Sequence, residues 1–344
     1  MTSEQPLVLV TGGAGFIAGH VIAALLDQGY RVRATARSLD REPQVREHLA
    51  RIGAPPGDDL TLVAADLLHD DGWADAVAGC DYVLHVASPV MPGHVENEDD
   101  VIVPAREGTL RVLRAAKDAG VGRVVLTSAF HAIGFGWGRI DRVFTDDDWS
   151  PLDGPGMDAY GRSKVLAERA AWDFARESGL EVVVLNPVAV LGPVVSPSVT
   201  GGNAIVRRIL SGQIGAFPDV WIPIVDVHDV ATAHVRAMTA ADAAGQRFIV
   251  GSGQGLKLAQ IAAALRTGLG DRASRVGTRS VPSWAVRLAG LFRPELRGVV
   301  PDLGVVKRID ASKIRRVLDW RSRPLATTVV DTGESMLALG MGAM

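Results

Sequence analysis

Four apolar residues, Leu7-Val8-Leu9-Val10, break directly into Thr11-Gly12-Gly13-Ala14-Gly15-Phe16-Ile17. A strand that is apolar at every position is buried on both faces, which places it inside a parallel sheet. From Gly15 to Gln28 the apolar residues Phe16, Ile17, Val21, Leu25 and Leu26 recur near helical spacing, and Gly29 marks the exit. A parallel strand reaches its neighbour only through a crossover, usually a helix, so this opening unit commits the chain to an α/β architecture.

The alternation continues. Further strands are expected at residues 31–36, 60–64, 82–86, 123–126 and 181–185, with helices at 73–78 and 108–119 between them. This predicts a Rossmann-type doubly wound parallel sheet over residues 1–190. Beyond Pro187 the pattern loosens: glycine, proline and serine cluster at 192–202, then helices at 204–211, 227–240, 258–266 and 283–291 interleave with short strands such as 247–250. Residues 191–344 are read as mainly a smaller C-terminal substrate-binding lobe, with some segments returning to the main sheet.

Composition narrows the function classes. A net charge of −3 leaves no concentrated positive footprint for nucleic acid. One cysteine, Cys80, cannot form an intramolecular disulfide. No apolar run reaches the roughly 18 residues a membrane span needs, and the longest, at 281–292, is interrupted by Arg287. The stretch Met1-Thr2-Ser3-Glu4-Gln5-Pro6 lacks the basic start and apolar core of a secretory signal, so a cytoplasmic location is expected.

The glycine turn suits a dinucleotide. Gly12 permits a tight exit from the strand, and Gly15, with Gly19 counted as the third glycine, lets main-chain N–H groups of Phe16 and Ile17 face a pyrophosphate at a helix N-terminus. At the end of the second strand, NAD enzymes usually carry an acid for the ribose hydroxyls. Here that place holds Ala36, followed by Arg37, Ser38 and Arg41, a set suited to a 2′-phosphate and hence to NADPH over NADH. Asp66, with Leu67, closes the third strand and is placed for the adenine amino group or for a local cap. His85-Val86-Ala87-Ser88-Pro89 closes the fourth, where small Ala87 lets backbone pass beside the cofactor.

Tyr160-Gly161-Arg162-Ser163-Lys164 sets a phenol and an ammonium four residues apart, on one helix face. A nearby cation favours phenolate, so Lys164 is expected to lower the Tyr160 pKa and to hold the nicotinamide ribose as well. The aromatic residues Phe130, Phe135, Trp137, Trp149, Phe217 and Trp221 are candidate pocket walls, with core packing as the competing use. Asp226, His228 and Asp229 begin a helix, where aspartate caps, and no metal is predicted.

These residues, with Asn186-Pro187-Val188-Ala189-Val190-Leu191-Gly192-Pro193, Asp146-Asp147-Asp148-Trp149-Ser150 and the segment from Leu166 through Phe174, resemble an extended short-chain dehydrogenase/reductase. Within that family the likeness is to the dihydroflavonol reductase, cinnamoyl-CoA reductase and microbial aldehyde or ketone reductase branch of the NAD-dependent epimerase/dehydratase group. The resemblance implies NADPH-dependent reduction of an aldehyde or ketone, with Tyr160 donating the proton, Lys164 supporting it, and Pro187 and Val188 lining the nicotinamide. It adds Thr11, Val86, Ala87, Ser88 and Thr127 to the cofactor-binding set. The partner is a small-molecule carbonyl compound, with no nucleic acid or membrane, and the chain is expected to be a monomer or homodimer.

One position departs from the branch. The fifth strand there commonly ends Thr-Ser-Ser, and this chain has Thr127-Ser128-Ala129. Three accounts stay open: Ser128 polarises the carbonyl after a local twist, His131 does so, or the donor is missing. Ser128 is taken first. Two other functions also stay open, an NAD-retaining nucleotide-sugar epimerase or dehydratase and a catalytically weak NADP(H)-binding sensor.

Overall fold

The computed structural model describes residues 5–89, 95, 97–293 and 298–342; the leader reading rests largely on residues 1–4, which lie outside these. Strand β1 (Leu7–Val10) is buried at all four positions, as its unbroken apolar sequence requires. It pairs in parallel with β2 (Arg31–Ala36) on one side and β4 (Tyr82–His85) on the other. With β3 (Leu60–Ala64), β5 (Arg123–Thr127), β7 (Val182–Pro187) and β11 (Arg247–Val250), they form a seven-stranded sheet of order β11-β7-β5-β4-β1-β2-β3. Every pairing in it is parallel. The order reverses between β1 and β4, which opens the crevice where such sheets bind ligands.

Helices cover both faces. On one, α1 (Phe16–Asp27) packs against α7 (Val227–Thr239), and Val21, Ile22 and Leu25 join Val8, Val10, Val230 and Ala233 in a common core. On the other, α4 (Asp99–Asp118) packs along α5 (Ala159–Ser178), with Val112, Leu113 and Ala171 against Leu9, Val83 and Val124. Helix α4 begins nine residues before the expected start. Pro104 lies early in it and reads in sequence as a breaker.

The later residues contribute to both parts. Strand β11 and helix α7 belong to the main sheet and its cover. Helices α6 (Gly201–Leu210), α8 (Leu258–Leu269) and a final helix (Leu325–Ala338) enclose a separate core around Phe217, Ile224 and Leu265. The strands β8 (Ala189–Leu191), β10 (Trp221–Asp226) and β12 (Gly255–Lys257) run beside it as a small sheet. No described helix is long and apolar enough to cross a membrane.

Candidate active site

The glycine turn is built for close approach. Gly12 has φ +73°, and a Cβ there would stand 3.0 Å from the Ala87 Cβ at the end of β4. Gly13 is tighter, with a Cβ 2.9 Å from that of Ala34. Gly12 N–H donates to Thr35 Oγ1 at 2.9 Å, and Gly13 N–H to the Thr35 carbonyl at 2.8 Å, so the turn is fastened to β2. Gly19 does not belong to this set: a Cβ there would meet nothing within 4 Å.

Gly15 is the N-cap of α1, with no side-chain cap and no acid in the first turn. The leading N–H groups of a helix have no intrahelical partner, so Phe16 and Ile17 present donors and a positive dipole end to an anion. Thr11 does different work. Its Oγ1 lies 2.9 Å from His85 Nδ1 and accepts from Ala87 N–H at 2.9 Å, tying the ends of β1 and β4 together.

At the end of β2, Arg37 is exposed and has no hydrogen bond or ion pair with a described residue. Its neighbours are engaged: Ser38 Oγ bonds the Asp40 carboxylate, and Arg41 bonds Gln44. Asp66 accepts from Leu68 N–H at 3.0 Å through one carboxylate oxygen. Leu67 packs against Gly108 of α4, where a Cβ would stand 3.0 Å from its own. Pro187 ends β7, and the N–H of the next residue, Val188, donates to the Val250 carbonyl at 3.2 Å.

Helix α5 carries the polar chemistry. Asp158 caps it, accepting from Gly161 N–H at 2.7 Å, so Tyr160 lies in the first turn. Lys164 Nζ lies 5.7 Å from the centre of the Tyr160 ring and donates to Ser88 Oγ at 3.1 Å. Burial lowers the Lys164 pKa to about 8, opposed by the Glu168 carboxylate. Tyr160 departs from expectation: burial first, and Asp158 second, push its pKa up to about 12. The phenol thus keeps its proton at neutral pH.

Ser128 is the clearest difference from the sequence reading. Its hydroxyl donates to Glu168 Oε2 at 2.6 Å, inside a buried network where Asn186 Nδ2 reaches the same oxygen at 2.7 Å. Arg247 Nε lies 2.8 Å from Glu168 Oε1, within ion-pairing distance though not aligned as a hydrogen bond. Glu168 follows Tyr160 by two helical turns, about 12 Å along the axis. Ser128 is thus committed to that level of α5, away from the phenol. Thr127 is committed as well, its hydroxyl lying 2.7 Å from His234 Nε2 on α7.

His131 is brought against Tyr160. Their rings meet edge to face, 5.0 Å between centres, while His131 stacks on Phe135 at 3.9 Å. The remaining aromatic candidates divide. Phe130 and Phe217 are core residues, and Trp149 lies beneath the Arg247 guanidinium at 3.9 Å. Asp226 caps α7 by accepting from His228 N–H at 2.8 Å. Sequence reasoning missed Glu168, although its place one turn after Lys164 was a usable signal. It also missed Lys307, whose Nζ lies 4.0 Å from the Phe135 ring centre and which nothing local marks.

Comparison with known proteins agrees with this geometry. The NAD dependent epimerase/dehydratase family matches residues 8–251. Cinnamoyl-CoA reductase 1 of Arabidopsis thaliana is 36% identical over 248 residues, 71% of this chain and 70% of that protein. The yeast methylglyoxal/isovaleraldehyde reductase, solved with NADPH, superimposes with a TM-score of 0.79 at 25% identity, over 97% of this chain and 99% of that one. A UDP-glucose 4-epimerase from Thermotoga maritima, at 21% identity and a TM-score of 0.74, covers 97% of this chain and 99% of its own and shares the fold alone. The chain belongs to the NAD dependent epimerase/dehydratase family, as an oxidoreductase of its extended short-chain dehydrogenase/reductase branch.

Proposed function

We propose that this protein reduces the carbonyl group of an aldehyde or ketone with NADPH, Tyr160 supplying the proton. The observation that carries the reading is the phenol of Tyr160 in the first turn of α5 with the buried ammonium of Lys164 one turn on. The uncapped start of α1 suits the pyrophosphate, and Arg37, unpartnered among the described residues, suits a 2′-phosphate. That the yeast reductase was solved with NADPH supports the same choice.

When bound, the reduced nicotinamide supplies a hydride to the carbonyl carbon. The π pair of the carbonyl moves to oxygen, and that oxygen takes the Tyr160 proton, leaving alcohol and phenolate. A phenol with its pKa near 12 is a weak acid, yet an alkoxide is a much stronger base, so transfer is downhill once charge reaches the oxygen. Lys164 stabilises the phenolate until solvent reprotonates it.

The test is NADPH oxidation by the purified protein against aromatic and aliphatic aldehydes, ketones and β-keto esters. Acyl-CoA thioesters belong in the panel because the Arabidopsis relative is named for one. Tyr160→Phe is expected to lower kcat by about 100-fold or more with NADPH binding retained. Turnover surviving in that variant would count against the mechanism.

A further inference from the structure

A carbonyl oxygen gathering charge needs a hydrogen-bond donor besides the acid that protonates it, and the usual hydroxyls at the end of β5 are not available. Ala129 has none. A hydroxyl carries one proton, and those of the neighbours are taken: Ser128 donates to Glu168 at 2.6 Å and Ser163 to the Tyr160 carbonyl at 2.7 Å. His234 Nδ1 lies 2.8 Å from the Val230 carbonyl, which assigns its proton there and leaves Nε2 to accept from Thr127.

His131 meets the need. It stands two residues beyond Ala129 in a short helical turn, and its ring meets that of Tyr160 edge to face, 5.0 Å between centres. Neither ring nitrogen has a hydrogen-bond partner among the described residues. The stack on Phe135, backed by the Lys307 ammonium, fixes the plane of the imidazole. We propose that His131 donates the hydrogen bond to the substrate carbonyl oxygen beside Tyr160, replacing the serine that Ala129 displaces. This rests on the reductase reading.

The protonation state suits the task. Burial lowers the His131 pKa to about 4; Lys307 and Lys164 act in the same direction, Asp158 and Asp302 against it. The ring is therefore neutral at neutral pH, with one N–H. A neutral imidazole is an adequate electrophile toward a carbonyl and does not add a second cation beside Lys164.

The experiment compares wild type with His131→Phe, which keeps a flat ring on Phe135 but removes the N–H, and with His131→Gln, which keeps an N–H. His131→Phe is expected to lower kcat/KM about 100-fold, with NADPH affinity held within about threefold by fluorescence titration. His131→Gln is expected to recover at least about tenfold of that loss, and Ala129→Ser added to His131→Phe to restore a similar share. Ser128→Ala is expected to lower thermal stability more than turnover. If His131→Phe keeps more than about a third of the wild-type kcat/KM, the assignment is overturned while the reductase reading stands. If His131→Phe does not fold, His131→Ala against His131→Gln decides by the same ratio, equal activities overturning the assignment. A wild type that reduces no carbonyl compound ends the reductase reading, and the assignment with it.

Discussion

At the level of a single side chain, the coenzyme preference proposed above turns on Arg37. It is exposed at the end of β2, while Ser38, Asp40 and Arg41 are occupied with one another and with Gln44. A charge-assisted hydrogen bond is worth about 1.5–3 kcal/mol, or roughly 10- to 150-fold in affinity. Arg37→Ala is therefore expected to raise the KM for NADPH by about that factor and to leave NADH within about threefold. Steady-state kinetics with both coenzymes check it, and an equal effect on each would remove the 2′-phosphate role. The placement of Arg37 after a strand, and of Tyr160 and Lys164 one helical turn apart, was legible in the sequence because it is local. Ser128 was not, because its orientation depends on a carboxylate 40 positions away. The raised Tyr160 pKa was not legible either, since burial and the capping Asp158 set it, while Lys164 points to Ser88.

At the scale of elements, α5 carries the proposed acid and is also a structural strut. Tyr160, Lys164 and Glu168 repeat every four residues on one face, so the chemistry at its start and the buried network at its middle share one register. Glu168 joins α5 to β5 through Ser128, to β7 through Asn186, and to β11 through Arg247. Glu168→Ala leaves the Arg247 guanidinium, 8% exposed, without its carboxylate. The expected cost is about 3–5 kcal/mol of unfolding free energy, measured by denaturant titration. A loss below about 1 kcal/mol would show that the pair does not anchor the helix. The strands of the sheet were readable because buried parallel strands are continuous apolar runs. The first turns of α4 were not, because Pro104 interrupts the pattern that packing against α5 restores.

For the whole molecule, the alternation of strands and helices accounts for a parallel sheet, and the reversal of strand order between β1 and β4 sets where a ligand lies. What local pattern could not supply is the traffic between distant segments. Lys307 comes to Phe135, and β11 comes to β7, only through tertiary packing. The central claim is that a reduced pyridine nucleotide at this rim delivers hydride to a carbonyl carbon while Tyr160 protonates the oxygen. The most direct measurement follows deuterium from the nicotinamide C4 of labelled NADPH into the product by NMR. The account predicts one deuterium on the carbinol carbon for each NADPH consumed, and almost none formed by Tyr160→Phe. Alcohol formed without label from either face of the nicotinamide, or labelled alcohol formed equally fast by Tyr160→Phe, would contradict it.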